Sequence, residues 1–472
     1  MKVFLVASEA VPYVKTGGLG DVTGSLATAL RTLGADTFLI LPLYRAVIAQ
    51  NLPLEHVTSR SLIVGSRSLS YAVFRHEHTY FIAQNDLFDR DDLYTTRDGD
   101  YADNWLRFAF FAHATLETIL ALGGADVIHV HDWQTALLPV YLRVLHPERQ
   151  EKTLLTIHNI AYQGIFPAAV LPEIGLPGSV FTIRGLEFYG RVNYLKGGIV
   201  WADRINTVSP SYAREILTDD YGYRLNGVLE TRRQHLSGIL NGIDVSYWDP
   251  ASDSALPYLY SSSSLTGKAR DKESLLQEAG MSSDSGRPLF VMVSRLVAQK
   301  GMDLVLGALD DMMSLPINLM VLGTGDAGIE TALEQKAAEY HGRFVFNRRF
   351  DEGLAHRMYA ASDFFLMPSR FEPCGLSQMI ALRYGSIPVV RRTGGLKDTI
   401  QDVHPKTGLG NGISFDDATS FDLLEAVKRA VALFTDKTSL RRIQAIGMGC
   451  DFSWQASAQE YLALYRAMGV SS

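Results

Sequence analysis

A glycine-rich loop follows the first apolar segment of the chain. The segment VFLVAS, residues 3–8, predicts a buried strand, and VKTGGLGDVTG, residues 14–24, comes shortly after it. Backbone N–H groups at Gly17, Gly18 and Gly20, at the start of a helix, can bind an anion, and Lys15 adds a positive charge beside them. The glycine spacing fits neither the dinucleotide fingerprint nor a Walker A loop. The loop therefore predicts an anion site, and a plain strand-to-helix turn is the alternative.

A second charged loop follows a predicted strand in the C-terminal half of the chain. In SRLVAQKG, residues 294–301, Arg295 and Lys300 lie five residues apart. A guanidinium and an ammonium in one loop suit a diphosphate. Two solvated surface charges are the alternative interpretation.

A third loop, SRFEPCGLSQ at 369–378, combines a carboxylate with a helix start. Gly375 is expected to begin a helix whose free N–H groups, at Gly375 and Leu376, bind an anion. Glu372 cannot serve that anion, because like charges repel, so it is expected to hold sugar hydroxyls or to stabilise a developing cation. Alternatively, Glu372 only complements the helix dipole with its charge. Cys374 is alternatively a small buried residue that takes no part in the chemistry.

Polar residues end two further predicted strands, Asp132 in HVHDWQ and His158 in TIHNIAYQG. A histidine and a carboxylate suggest hydrolysis, but no nucleophile elbow of the G-x-S-x-G type accompanies them. His129 and His131 are expected to point to opposite faces of their strand, which would make them poor joint metal ligands. Asn241, in ILNGID, is expected to lie near the same site.

Composition narrows the class of protein. The 472 residues are 47% hydrophobic and 20% charged, which is typical of a globular chain, and the net charge of −7 gives no basic surface for nucleic acid. Two cysteines, Cys374 and Cys450, exclude a disulfide framework and favour a reducing compartment. No signal peptide or 18-residue apolar run is evident. We therefore expect a soluble cytoplasmic enzyme that does not associate with membranes.

Apolar segments alternate with helical patterns, which predicts an α/β fold with parallel sheets. In the first half, strands are expected at 3–8, 37–42, 79–84, 127–132, 153–159 and 204–209, helices at 21–33, 104–122 and 133–145, and an antiparallel insertion at 62–75. After a connector at 244–264, a second series is expected at 289–294, 318–323, 344–347, 363–368 and 386–390. These series predict two doubly wound domains, 1–243 and 244–453, and a C-terminal helix at 454–472 that packs on either domain.

These segments together resemble the bacterial glycogen synthases and plant starch synthases of glycosyltransferase family 5. The resemblance rests on SEAVPYVKTGGLGDVTG, DNWLRF, HVHDWQTALLP, TIHNIAYQG, YLKGGIVWADRINTVSPSYAREI, NGIDVSYWDP, SRLVAQKGMDLV, PSRFEPCGLSQM and RRTGGLKDT, which follow the family order. It implies a GT-B fold, in which two Rossmann-like domains face each other across a deep cleft. It also implies retaining transfer of glucose from ADP-glucose to the non-reducing end of an α-1,4-glucan such as glycogen.

The resemblance also implies residue roles. Catalytic roles carry over to Glu372, His158, Lys300, Arg295 and Asp132. Donor binding carries over to Lys15, Gly18, Asp21, Asn241, Phe350, Cys374, Gly375 and Leu376, with Phe350 in place of the usual adenine-stacking tyrosine. Tyr94 and Tyr162 are expected at the acceptor or sugar site. Ile380 stands where the wider retaining group has a second glutamate, which is typical of the bacterial enzymes.

The resemblance implies no cofactor and no metal, because protein cations neutralise the leaving ADP. Two alternatives remain open. One is a retaining GT-B glucosyltransferase that uses UDP-glucose, and the other is a non-catalytic glucan-binding protein.

Overall fold

The computed structural model describes residues 1–96, 99–282, 284, 286–404 and 408–470. The chain forms two compact units. The first comprises Met1–Gly242 with Trp454–Ser472, and the second comprises Ile243–Ser453.

The first unit is built on a nine-stranded sheet. Its spatial order is Leu236–Gly238, Arg204–Thr207, Lys152–Ile157, Val127–His131, Lys2–Val6, Asp36–Pro42, Thr79–Ala83, Arg67–His76 and Glu55–Val64. The strands are parallel except at the end of the sheet, where the last two form an antiparallel hairpin. The central strands are apolar runs that are buried along nearly their whole length, as a parallel sheet covered on both faces requires.

The order of the strands reverses at the first strand, and this position determines where a ligand can bind. Lys2–Val6 pairs with Asp36–Pro42 on one side and with Val127–His131 on the other. In such sheets ligands bind beyond the carboxyl ends of the strands at the point of reversal. The loops after Val6 and His131 therefore meet at the same edge of the sheet.

Helices cover this sheet and complete the unit. They are Gly18–Thr32, Arg45–Ile48, Asn85–Phe88, Asn104–Ala121, Leu137–Leu145, Val170–Glu173, Tyr194–Trp201, Pro210–Glu215, Asn226–Thr231 and Trp454–Ala467, with 3₁₀ turns at Gly178–Val180 and Arg233–His235. Short antiparallel strands lie at Ile165–Pro167, Glu187–Phe188 and Arg191–Asn193, and at Thr95–Thr96 and Gly99–Asp100. The C-terminal helix packs on Gly18–Thr32, and its Tyr461 and Tyr465 hydroxyls bond to Asn206 and His129 inside this unit.

The second unit repeats the same plan with a six-stranded parallel sheet. Its spatial order is Phe344–Asn347, Asn318–Leu322, Leu289–Val293, Phe364–Met367, Ile387–Arg391 and Ile413–Phe415. The reversal again falls at the first strand of the unit, Leu289–Val293, so the loops after Val293 and Met367 are neighbours.

Helices surround this second sheet and bury its apolar side chains. They are Thr266–Glu278, Met302–Ser314, Ala327–Glu339, Glu352–Ala361, Ser377–Arg383, Gly394–Thr399, Ser420–Thr435 and Lys437–Met448, with a 3₁₀ turn at Ala298–Lys300. No helix in the described ranges combines the length and the apolar character needed to cross a bilayer.

The expected strands are all present, and the differences concern short elements and helix starts. The strands Leu236–Gly238 and Ile413–Phe415 were not predicted, because three residues at a sheet edge carry too little apolar pattern. The helix expected from residue 133 begins at Leu137. The helix expected at Gly375 begins at Ser377, because Gly375 has a φ of +76°, outside the helical region.

Candidate active site

In the first unit, a buried glutamate organises the glycine-rich loop. Glu9, which is 3% exposed, follows the first strand, and its Oε2 accepts the backbone N–H groups of Thr16 and, at 3.3 Å, of Gly17. Its Oε1 accepts the Thr16 hydroxyl at 2.8 Å and the Tyr94 hydroxyl at 2.6 Å. Since Tyr94 donates to Glu9, the Ser8 hydroxyl, 2.7 Å away, donates to Tyr94. The Gly17 amide that the sequence suggested for an external anion is therefore bonded to Glu9.

The glycines of this loop fall into two kinds. A Cβ at Gly20 would lie 2.6 Å from Lys15 Cβ, and a Cβ at Gly24 would lie 2.3 Å from the Val11 carbonyl oxygen. These two glycines let the loop pack closely on its helix. Apart from Gly18's chain neighbours and its own helix backbone, no atom of the described residues lies within 4 Å of a Cβ placed at Gly18, so the space beside the first turn of the helix is open to a ligand.

Lys15 and Asp21 lie beside this open space. The Lys15 ammonium is 3.3 Å from Asp21 Oδ1, and both side chains are about half exposed. An exposed pair of this kind contributes little stability, about 0–1 kcal/mol. Both groups can therefore exchange partners when a ligand arrives.

The loop after Val127–His131 brings Asp132 to His158. Asp132 has a φ of +56°, and its Oδ1 accepts the backbone N–H of His158 at 2.7 Å. Burial raises the pKa of the Asp132 carboxyl to about 7, although bonds from backbone N–H groups oppose the rise. Burial lowers the pKa of the His158 imidazole to about 3, so His158 is neutral at physiological pH. The pair therefore offers hydrogen bonds, with a carboxyl that titrates near neutrality.

The expectation that His129 and His131 point to opposite faces is wrong. Residues two apart on a strand share a face, and the two rings lie 4.1 Å apart at their centroids. His131 Nδ1 is 2.9 Å from His158 Nε2, and both ring nitrogens of His129 are occupied, by the hydroxyls of Tyr465 and Thr156. His129 and His131 are buried behind His158, and the bond from His131 fixes the His158 ring.

The remaining residues predicted for the first unit have different environments. The Tyr94 hydroxyl supports Glu9, as described above. Asn241 is 6% exposed, and within the described ranges its buried Oδ1 has no hydrogen-bond partner, so it can accept a bond from a ligand. Tyr162 is 56% exposed.

In the second unit, Lys300 and Glu372 form an ion pair. Lys300 Nζ donates to Glu372 Oε2 at 2.6 Å, and the Ser369 hydroxyl donates to the same oxygen at 3.0 Å. Glu372 is 6% exposed. Within the described residues, no donor bonds to its Oε1. The carboxylate is thus fixed through one oxygen, and the other is left for a sugar hydroxyl.

Close backbone packing positions this pair. Gly301, with a φ of +71°, lies against the Pro368 carbonyl oxygen, which would be 2.1 Å from an added Cβ. Gly394 packs against the Glu372 carbonyl oxygen, 2.0 Å from an added Cβ, and the Gly395 amide donates to that oxygen. Gly301 thus lets the Lys300 loop pack against the segment before Glu372, and Gly394 and Gly395 support the Glu372 backbone.

The other residues predicted for the second unit do not join this pair. Arg295 is exposed, and its guanidinium makes no hydrogen bond or ion pair with the described residues. Phe350 is 86% exposed, and Cys374 is buried and not disulfide-bonded. Leu376 is the N-cap of Ser377–Arg383, and Gly375 precedes it. No cluster of three or more His, Cys, Asp or Glu side chains in the described part of the chain has a geometry suited to a metal.

Comparison with known proteins identifies the family. The chain is 44% identical to glycogen synthase 2 of Geobacter sulfurreducens, over 99% of this chain and 98% of that protein. It is 43% identical to the glycogen synthase of Koribacter versatilis, over 98% of each. The chain belongs to the glycogen synthase family. Residues 2–231 match the profile of the starch synthase catalytic domain, and residues 277–443 match glycosyl transferases group 1.

Solved structures support the same assignment. The catalytic domain of starch synthase IV from Arabidopsis thaliana, bound to ADP and acarbose, is 33% identical and superposes with a TM-score of 0.89 over 99% of both chains. Sucrose-phosphate synthase from Thermosynechococcus elongatus, 18% identical with a TM-score of 0.62 over 100% of both chains, shares the fold. The predicted GT-B fold class is confirmed, and the chain is a glycosyltransferase of the glycogen synthase family.

Sequence reasoning missed the residues that position the site. Glu9 lies in SEAVPYVKTGG, and a carboxylate between a strand and a glycine-rich loop was the signal that could have found it. The roles of Ser369 and Gly394 depend on contacts across the loop, which no local pattern reveals.

Proposed function

We propose that this member of the glycogen synthase family transfers glucose from ADP-glucose to the non-reducing end of an α-1,4-glucan, with retention at the anomeric carbon. The observation that carries the proposal is the likeness, over 99% of both chains, to a starch synthase catalytic domain bound to ADP and acarbose. The arrangement of charged groups in each unit is compatible with this reaction. The small number of cysteines favours a cytoplasmic location.

In the second unit, Arg295 and Lys300 neutralise the diphosphate of the donor. Arg295 is the more available cation, since Lys300 already pairs with Glu372. Glu372 Oε1 accepts a hydroxyl of the transferred glucose, and its charge stabilises the oxocarbenium-like state that precedes transfer. The amides of Gly375 and Leu376 and the ring of Phe350 complete the proposed donor contacts.

In the first unit, Asp132 and His158 bind the transferred glucose through hydrogen bonds. Their geometry is fixed, because Asp132 bonds to the His158 backbone and His131 bonds to the His158 ring. Lys15 and the first helical turn at Gly18 contribute positive potential for the diphosphate.

The proposed step needs no nucleophile from the protein. The bond from C1 of glucose to the diphosphate breaks, and the 4-hydroxyl oxygen of the acceptor bonds to C1 on the same face. The departing phosphate takes the proton of that hydroxyl. Cations near the leaving group lower the barrier, and removal of one such group raises it by about 2.7–4 kcal/mol by analogy with an oxyanion-hole donor.

Incorporation of labelled glucose into glycogen tests the proposal, with ADP-glucose and UDP-glucose measured side by side, each with and without a chelator. Transfer from ADP-glucose that persists in the chelator is the expected result. A preference for UDP-glucose would leave the assigned fold and the proposed transfer step unchanged and would identify UDP-glucose as the donor. Loss of transfer in the chelator would show that the protein cations are insufficient. Absence of transfer from either donor to glycogen and to short α-1,4-glucans would contradict the proposal in favour of a binding protein.

A further inference from the structure

Three exposed tyrosines of the first unit lie in one connected surface region. Tyr162, Tyr189 and Tyr223 are 56%, 69% and 41% exposed, and they come from three separate loops. The Arg224 guanidinium lies 5.2 Å from the centre of the Tyr189 ring, and Tyr162 contributes to the raised pKa of Tyr223, which burial raises first. We call these four residues, Tyr162, Tyr189, Tyr223 and Arg224, the tyrosine patch.

One buried side chain ties these loops together. Gln163, 6% exposed, donates from Nε2 to the carbonyl oxygens of Tyr223 at 3.0 Å and Ile160 at 3.2 Å. Its Oε1 accepts from Asn193 Nδ2 at 2.7 Å, and Asn193 ends the strand that follows Tyr189. The patch is therefore held in place before any ligand binds.

The backbone of the patch is strained. Tyr189, Tyr223 and Arg224 have φ values of +48°, +47° and +67°, in the left-handed region that bulky residues disfavour. Tyr189 and Gly190 form the two-residue turn between Glu187–Phe188 and Arg191–Asn193, and both have positive φ. Asparagine is the favoured residue at the first position of such a turn. A tyrosine there lowers stability, so its benefit is to be sought in function.

We propose that the tyrosine patch binds the α-1,4-glucan acceptor. The proposal rests on the proposed function and assigns part of its acceptor site. A pyranose ring offers a face of C–H groups that packs on an aromatic ring, and its hydroxyls bond to phenol and guanidinium groups. The patch offers both kinds of group, and its Tyr162 lies in the same loop as His158, four residues further along the chain.

Mobility in native gels that contain glycogen tests the proposal without donor or turnover. Tyr162→Ala and Tyr189→Asn are each expected to weaken retardation by glycogen by roughly 2- to 10-fold, which is the scale of one aromatic contact. Tyr189→Phe keeps the ring and is expected to retain binding. Phe421→Asn removes an aromatic side chain of the second unit that is 69% exposed, and serves as the matched control.

Thermal unfolding of the same variants tests the strain argument. Tyr189→Asn is expected to match or exceed the parent in Tm while it binds glycogen more weakly. Unchanged retardation of Tyr162→Ala and Tyr189→Asn, with glucose incorporation intact, would overturn the patch and leave the proposed function standing. Conversely, the chain could bind glycogen through the patch and yet transfer no glucose. That result would support the patch as a glucan-binding site and contradict the proposed transferase activity.

Discussion

Glu9 is the residue whose replacement tests the organisation of the glycine-rich loop. Glu9→Ala removes the acceptor of the Thr16 and Gly17 amides and of the Tyr94 hydroxyl. Hydrogen bonds to a charged group contribute about 1.5–3 kcal/mol each. The loss is smaller than their sum, because Thr16 is exposed to water and Tyr94 can donate to Ser8 instead. We expect Glu9→Ala to lower the free energy of unfolding by about 2–3 kcal/mol.

Glu9→Gln separates the geometry of the loop from the charge. The glutamine oxygen can accept the amides of Thr16 and Gly17, and its NH₂ group can donate to the hydroxyls of Thr16 and Tyr94, which rotate to accept. This variant is expected to lose about 1 kcal/mol of stability. The alanine variant must also order the loop when the donor binds, which raises the KM for ADP-glucose by roughly 10- to 100-fold. We expect the glutamine variant to stay within roughly threefold of the parent.

The assay is the initial rate of glucose incorporation against ADP-glucose concentration at saturating glycogen, together with urea unfolding of each variant. Asp36→Ala, which removes an exposed carboxylate at the start of a neighbouring strand, is the control and is expected to change neither quantity. The reasoning is refuted if both Glu9 variants lower the KM. That result would mean that the charge of Glu9 repels the diphosphate more than its hydrogen bonds order the loop.

Three further predictions follow from charged groups. Arg295→Ala is expected to slow turnover by roughly 10²–10³-fold without a change in urea unfolding. Lys300→Ala is expected to slow turnover and also to lose about 3–5 kcal/mol of stability, because it leaves a buried carboxylate unpaired. Equal unfolding curves for the two variants would contradict this difference. Lys268→Met is expected to cost about 1–3 kcal/mol, because Lys268 Nζ bonds to the Ala360 and Tyr384 carbonyls, and urea unfolding measures the loss. Asp132→Asn is expected to gain stability relative to the parent as pH rises from about 4 to 7. In the parent, the folded Asp132 carboxyl keeps its proton until about pH 7, whereas in the unfolded chain it loses its proton near pH 4, so the parent alone is destabilised over this range. Parallel pH profiles of unfolding for the two proteins would contradict this prediction.

The fold was largely predictable because its signal is local. A parallel sheet that is covered on both faces needs continuous apolar strands, and segments such as Leu289–Val293 carry that pattern openly. Ile413–Phe415 escaped prediction because three residues at a sheet edge derive their pairing from the neighbouring strand, Ile387–Arg391. The order of strands in the sheet was likewise beyond the local pattern.

In the candidate site, too, the residues with a local sequence signal were predicted and the contacts between distant segments were not. Lys300 and Glu372 were found because each follows a predicted strand, but their ion pair arises from the neighbouring positions of those strands in the sheet. The cluster of His129, His131 and His158 was missed because the sequence analysis put alternate residues of a strand on opposite faces, whereas they share a face. Contacts that depend on tertiary approach, such as Gly394 against the Glu372 carbonyl, have no local signature at all.

Each unit has a buried carboxylate near a cationic loop, but the two carboxylates bond to different partners. The difference predicts which cations remain available to the donor diphosphate. In the first unit, Glu9 bonds to backbone amides, and the one ion pair of Lys15 among the described residues is its exposed contact with Asp21. In the second unit, Glu372 takes the Lys300 ammonium itself, in a part-buried setting where separation is costly. The charges of Lys300 and Glu372 are therefore fixed in place and partly offset each other before the donor binds. Arg295 then supplies the positive charge that interacts with the leaving diphosphate. Relative to the stability each variant loses, replacement of Arg295 is therefore expected to slow turnover more than replacement of Lys300.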